Sequence, residues 1–171
     1  MVVIADTSPL NYLVLIEQIE LLPRLFLEVV VPDAVMEELS QPETPPAVSS
    51  WAASRPDWVY RVENPALFDD PALGTLGRGE RAAICYAESL RPDVLLVIDE
   101  ARGRRAALQR QIPVVGILGI LETASMQGWI DLPVVLAGLG RTSFRVAPDL
   151  IESLLERDRR RKSVQLRKER D

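Results

Sequence analysis

The chain has 171 residues, of which 47% are hydrophobic and 26% charged, and a net charge of −5. That is the composition of an ordinary globular domain, long enough to bury a core without disulfides or structural metal. It holds no histidine and a single cysteine, Cys85, which excludes a Ser-His or Cys-His couple, a His-ligated metal site and an intramolecular disulfide. Catalysis would have to run on carboxylates, hydroxyls, arginine or the two lysines, and a metal would be a hard, oxygen-liking ion such as Mg²⁺ or Mn²⁺. No apolar run reaches bilayer-spanning length and no charged leader precedes an apolar one, so a cytoplasmic protein without a membrane partner is expected. Residues 156–171 carry eight basic and four acidic side chains, a net of +4 that leaves −9 on residues 1–155.

The run Val2-Val3-Ile4-Ala5 reads as a buried strand ending abruptly on Asp6, Thr7 and Ser8. A carboxylate there stands where α/β sheets hold ligands, beyond the carboxyl ends of the strands. It also stands where a helix cap belongs, and on this segment alone the two readings are even. Leu10, Leu13, Val14 and Leu21 follow at helical spacing until Pro23 breaks the pattern. Phe26–Val31 predicts a second strand, and Asp33–Leu39 a short helix. Residues 41–50, rich in Pro and Ser, read as a surface loop, Trp51–Ala53 as a small helix, and Trp58–Val62 as an edge strand. Residues 64–79 read as a long loop ending in Gly77-Arg78-Gly79, where an Ala-rich helix opens at Glu80 and holds Cys85 as a small core residue. The glycines between Gly74 and Gly79 lack the Lys-Ser/Thr of a P-loop. Val94–Ile98 is an uninterrupted apolar strand that again ends on acid, Asp99-Glu100. A helix over 101–110, a short strand at 114–115 and helices over 117–127, 132–139 and from 148 complete the pattern. This alternation predicts the α/β class, a three-layer α/β/α arrangement around a central parallel sheet. The expected division is a domain over 1–150, then a C-terminal helix and basic tail over 151–171.

Four carboxylates fall at strand ends or inward helix edges. Asp6 and Asp99 end two strands, and Glu80 begins the apolar stripe that continues through Ala83, Ile84 and Ala87. In the helix over 33–39, Glu38 lies nearer the stripe of Val35 and Leu39 than Glu37 does, and the choice between the two stays open. Crowded carboxylates repel until a cation compensates them, so this pattern points to divalent metal and hydrolysis at phosphorus.

The ordered pieces Val3–Leu10, Val31–Leu39, Gly77–Ile84, Leu96–Arg102 and Val115–Leu121 resemble the PIN-domain nucleases, in particular their DUF3368 branch, over about residues 1–130. The resemblance implies a PIN-like fold, Mg²⁺- or Mn²⁺-dependent ribonuclease chemistry on single-stranded RNA, and kinship with VapC-type toxins of toxin–antitoxin pairs. It implies that Asp6, Glu38, Glu80 and Asp99 are the metal-binding, catalytic carboxylates and that Ser8 supports Asp6 by hydrogen bonding. A small antitoxin protein and a second copy of the chain are the partners it implies besides RNA. Many relatives carry Asp where this chain has Glu80. The alternative is a catalytically weak PIN-fold module that binds RNA or protein and regulates. A phosphohydrolase with Asp6 as covalent nucleophile would want a second Asp two residues on, where Ser8 stands. Arg102, Arg104 and Arg105 follow Asp99 and read either as a solvated helix face or as contacts to substrate phosphate. The tail from Arg157 reads either as a solvated helix end or as a contact for nucleic-acid backbone or an acidic partner.

Overall fold

Short β-branched runs flanked by helices can bury both faces only in a covered parallel sheet, and that is what the chain forms. The computed structural model describes residues 1–54, 56–66 and 70–168, with side chains through 164. Among them, β1 (Val2–Ala5), β2 (Val29–Pro32), β3 (Val59–Val62), β4 (Val94–Val97) and β5 (Val114–Val115) build one sheet in the order β3–β2–β1–β4–β5, every pair parallel. Helices flank it, giving the three-layer α/β/α, PIN-like architecture. The strand order reverses between β1 and β4, the switch point at which sheets of this kind open a crevice. Across it Val2 is paired with Val94 and Ala5 with Val97. Ile4, Leu96, Ile98, Ile84, Ala83 and Cys85 pack in one apolar cluster beneath this junction.

The helices are α1 (Thr7–Leu15), α2 (Leu21–Phe26), α3 (Asp33–Leu39), α4 (Pro46–Ser54), α5 (Arg78–Ser89), α6 (Ala101–Gln109), α7 (Ile117–Met126), α8 (Leu132–Gly140) and α9 (Pro148–Lys168). The chain divides into two compact units, Met1–Ile117 and Leu118–Asp171. The first holds the whole sheet. In the second, four of the α9 cations are matched by carboxylates: Arg157 by Glu122 at 2.8 Å, Arg161 by Glu122 and Asp158, Lys162 by Asp158 at 2.9 Å, and Arg160 by Glu156. Asp158 is buried and also accepts the Ser125 hydroxyl at 2.6 Å. The tail cations Arg167, Lys168 and Arg170 lie outside the described side chains.

Three expectations need correction. The second strand starts at Val29, not Phe26, because α2 runs through Phe26 and Leu27 then turns at φ 65°. The helical pattern expected from Leu10 to Leu21 ends at Leu15, before Pro23, which instead falls in the first turn of the separate helix α2, where no backbone N–H is required. Residues 46–50 are helical, with Pro46 in the first-turn position that suits proline and Val48 and Ala52 buried one turn apart. Among the described residues no helix is long and apolar enough to cross a membrane.

Candidate active site

Asp6 leaves β1 with its N–H still bonded to the Val97 carbonyl at 3.0 Å, which fixes it at the carboxyl edge of the sheet. It takes the N-cap position of α1 in extended conformation (φ −85°, ψ 166°), yet its side chain closes no capping hydrogen bond. It is 1% exposed, and its Oδ1 is buried without a hydrogen-bond partner. Burial first, then the charges of Glu80 and Glu38, push its pKa from 3.8 to about 8, against the pull of the backbone N–H groups of Thr7 and Ser8. The pull of Ser8 on Asp6 comes from its backbone amide, short of a capping hydrogen bond.

Glu38 is brought in by α3, whose first-turn amide at Ala34 is capped by Asn64 Oδ1 at 2.9 Å. The Thr7 hydroxyl donates to Glu38 Oε2 at 2.5 Å and the Gly79 amide donates to Oε1 at 2.7 Å. Only glycine allows this seat, because a Cβ at position 79 would stand 2.5 Å from Glu38 Oε2 and 2.6 Å from Thr7 Oγ1. Glu37 turns outward to an ion pair with Arg78. Glu80, in the first turn of α5, accepts the Gly77 N–H through Oε2 at 2.9 Å, while its Oε1 is buried and unpartnered. Burial raises its pKa as well, opposed by the Gly77 amide and assisted by the charges of Glu100 and Glu38. The glycine-rich entry to α5 therefore directs two of its amides, those of Gly77 and Gly79, to carboxylates of the chain itself.

Asp6, Glu38 and Glu80 line one cleft of about 260 Å³, together with Thr7, Ser8, Asn11, Tyr12, Gly77 and Glu100. Asp99 does not line it. With Ala5 opposite Val97, Asp6 falls level with Ile98, and Asp99 comes one residue later. Its Oδ1 instead accepts the Ile117 N–H at 2.9 Å, and its Oδ2 is buried without a partner. Burial raises its pKa to about 6, opposed by that N–H and by Arg104 and assisted by Glu100. Arg104 donates to the Ile98 carbonyl at 2.8 Å, whereas Arg102 and Arg105 are exposed.

Glu100 is the acidic residue that the sequence pattern did not single out, since register, and not composition, decides which of two adjacent carboxylates faces the cleft. Asn11 and Tyr12 were not singled out from the sequence; they stand four residues after Thr7 and Ser8, on the same face of α1. A second cavity, of about 380 Å³, is lined among the described residues by Met36, Ser40, Ala52, Ala53, Val59 and Arg61, none of them acidic.

Four carboxylates, Asp6, Glu38, Glu80 and Glu100, face one cleft and form an acceptor surface. Their donor set is all oxygen, and each of Asp6, Glu80 and Asp99 keeps a buried oxygen free, which fits a hard divalent cation. As placed, no three acidic groups among the described residues stand close enough to hold one ion together. A family model described as DUF3368, PIN domain, matches residues 2–160. No curated protein and no solved structure matches the chain.

Proposed function

The chain belongs to the DUF3368 family of PIN domains, a nuclease-type fold, and we propose from that premise that it is a Mg²⁺- or Mn²⁺-dependent endoribonuclease cleaving single-stranded RNA. Asp6, Glu38 and Glu80 would hold the cation, with Asp99 supporting from the adjacent strand end. The burial of Asp6 carries this reading: a carboxylate with an unpartnered oxygen, set against two further carboxylates, stays charged near neutral pH only when a cation replaces its proton. When bound, such a cation supplies charge neutralisation at phosphorus and an activated water.

The chain's own groups prepare the rest. Thr7 and Gly79 fix the direction of Glu38 while leaving its carboxylate spare lone pairs for a cation. Gly77 fixes Glu80 in the same way. Arg102 and Arg105, exposed on the helix that follows Asp99, are proposed to meet flanking phosphates, whereas Arg104 holds the strand end. For a toxin role we propose a small antitoxin protein and a second copy of the chain as partners, on family resemblance. Co-purification and size-exclusion chromatography test both.

The test is cleavage of a fluorescent single-stranded RNA with Mg²⁺ or Mn²⁺ and with chelator. Asp6→Asn is expected to lower cleavage by about 10²-fold or more while the fold, by circular dichroism, stays intact. Undiminished cleavage in Asp6→Asn overturns the proposal. The spread of the carboxylates favours a second reading, an RNA-binding module that cuts weakly. Metal-independent RNA binding without cleavage in the wild-type chain would establish it.

A further inference from the structure

We propose that Gly103, in α6, is a positioning residue whose missing side chain makes room for Glu80, so that the two positions are matched in size. This rests on the metal-site reading above. Glutamate carries one methylene more than aspartate, and from the first turn of α5 that extra reach brings the Glu80 carboxylate against α6. A Cβ built on Gly103 would overlap Glu80 Oε1 and stand 2.6 Å from Ile98 Cδ1. Gly103 is buried, and Glu80 Oε1 has no hydrogen-bond partner. Nothing but the space therefore holds that oxygen where it is. The other oxygen is anchored on the Gly77 amide at 2.9 Å, so the carboxylate pivots about one fixed point and Gly103 bounds its swing. Even in the first turn of α6, glycine is a poorer helix former than alanine, so a buried glycine there calls for a close-approach explanation.

Both atoms that a methyl group would meet are the ends of flexible side chains. An alanine at 103 is thus accommodated by displacing Glu80 and Ile98, with the helix kept. The experiment titrates Mn²⁺, followed by its electron paramagnetic resonance signal, into chelator-stripped full-length chain, and records thermal melts in parallel. Gly103→Ala is expected to melt no earlier than wild type yet bind Mn²⁺ about tenfold more weakly, the size of loss typical when a ligand's support is removed. Glu80→Asp alone is also expected to weaken binding. Combining the two should bind no more weakly than Glu80→Asp alone, because the shorter acid vacates the space the methyl fills. Adding Ile98→Val to Gly103→Ala relieves only the apolar contact and should recover nothing.

A wild-type chain that binds no Mn²⁺ overturns the metal reading and the proposal with it. If the wild type binds and Gly103→Ala binds equally well, the proposal alone falls. Recovery by Ile98→Val would assign the loss to packing and also overturn it. In the Glu80→Asp background the alanine should be neutral or better. A further tenfold loss there refutes the size match whether or not Gly103→Ala alone folds.

Discussion

Asp6 couples folding to pH in a direction opposite to that of a salt-bridged carboxylate. The folded chain keeps its proton up to about pH 8, while the unfolded chain releases it near the ordinary value of 3.8. Between these limits the folded state binds more protons, so stability is greatest at the acid end and falls as pH rises toward 8. In chelator, the melting temperature of wild type is expected to fall by several degrees between pH 5 and 8 relative to Asp6→Asn, and Mg²⁺ or Mn²⁺ should restore more of it at pH 8 than at pH 6. Parallel melting curves for the two chains would refute this. Two of the expected carboxylates join Asp6 in the cleft because strand ends and helix stripes are local patterns, legible in one sequence. The divergence of Asp99 and the arrival of Glu100 follow from the pairing of β1 with β4, which no local pattern records.

At the scale of elements, strand and helix periods located every strand of the sheet. The errors fell where a proline or an unusual backbone angle sets a boundary. Leu27 is such a case. Its φ of 65° and ψ of −54°, with the Glu28 N–H bonded back to the Phe26 carbonyl at 2.7 Å, describe a tight three-residue turn strained for any side chain, and Leu27 is 78% exposed. Leu27→Gly removes the strain at no packing loss and is expected to stabilise the chain by about 1 kcal/mol, readable as a rise in melting temperature of a few degrees. A fall would mean that the leucine contributes packing that outweighs its turn. The Gly77–Gly79 turn was visible as a glycine-rich loop, but its purpose was not, because the two amides it frees point at carboxylates that arrive from α3 and α5.

Across the whole molecule, the acidic and basic excesses meet inside α9's own unit. Arg157, Arg161 and Lys162 are already held by Glu122, Asp158 and Asp131, so the basic stretch has less free charge to offer than its composition suggests. Asp158 keeps a lowered pKa because Ser125, Lys162 and Arg161 outweigh its burial, and a truncation before it would remove a buried anchor. Deletion of residues 165–171 takes away Arg167, Lys168 and Arg170 and spares that network. It is expected to leave the melting temperature unmoved and to flatten the salt dependence of RNA binding, by up to about 0.7 in log–log slope for each phosphate no longer neutralised. An unchanged slope would place the RNA-binding surface elsewhere on the chain.

The central strand of the sheet is also the first to be made. β1 begins at Val2, but one of its two neighbours, β4, begins at Val94. During synthesis β1 must wait, one flank bare, until β4 has followed it, because contacts of such long sequence separation form late. A nascent or prematurely ended chain that stops before β4 therefore carries Asp6 and Glu80 but lacks the strand that pairs with β1, and is expected to be inert. Whatever chemistry the cleft performs begins only when translation has passed β4.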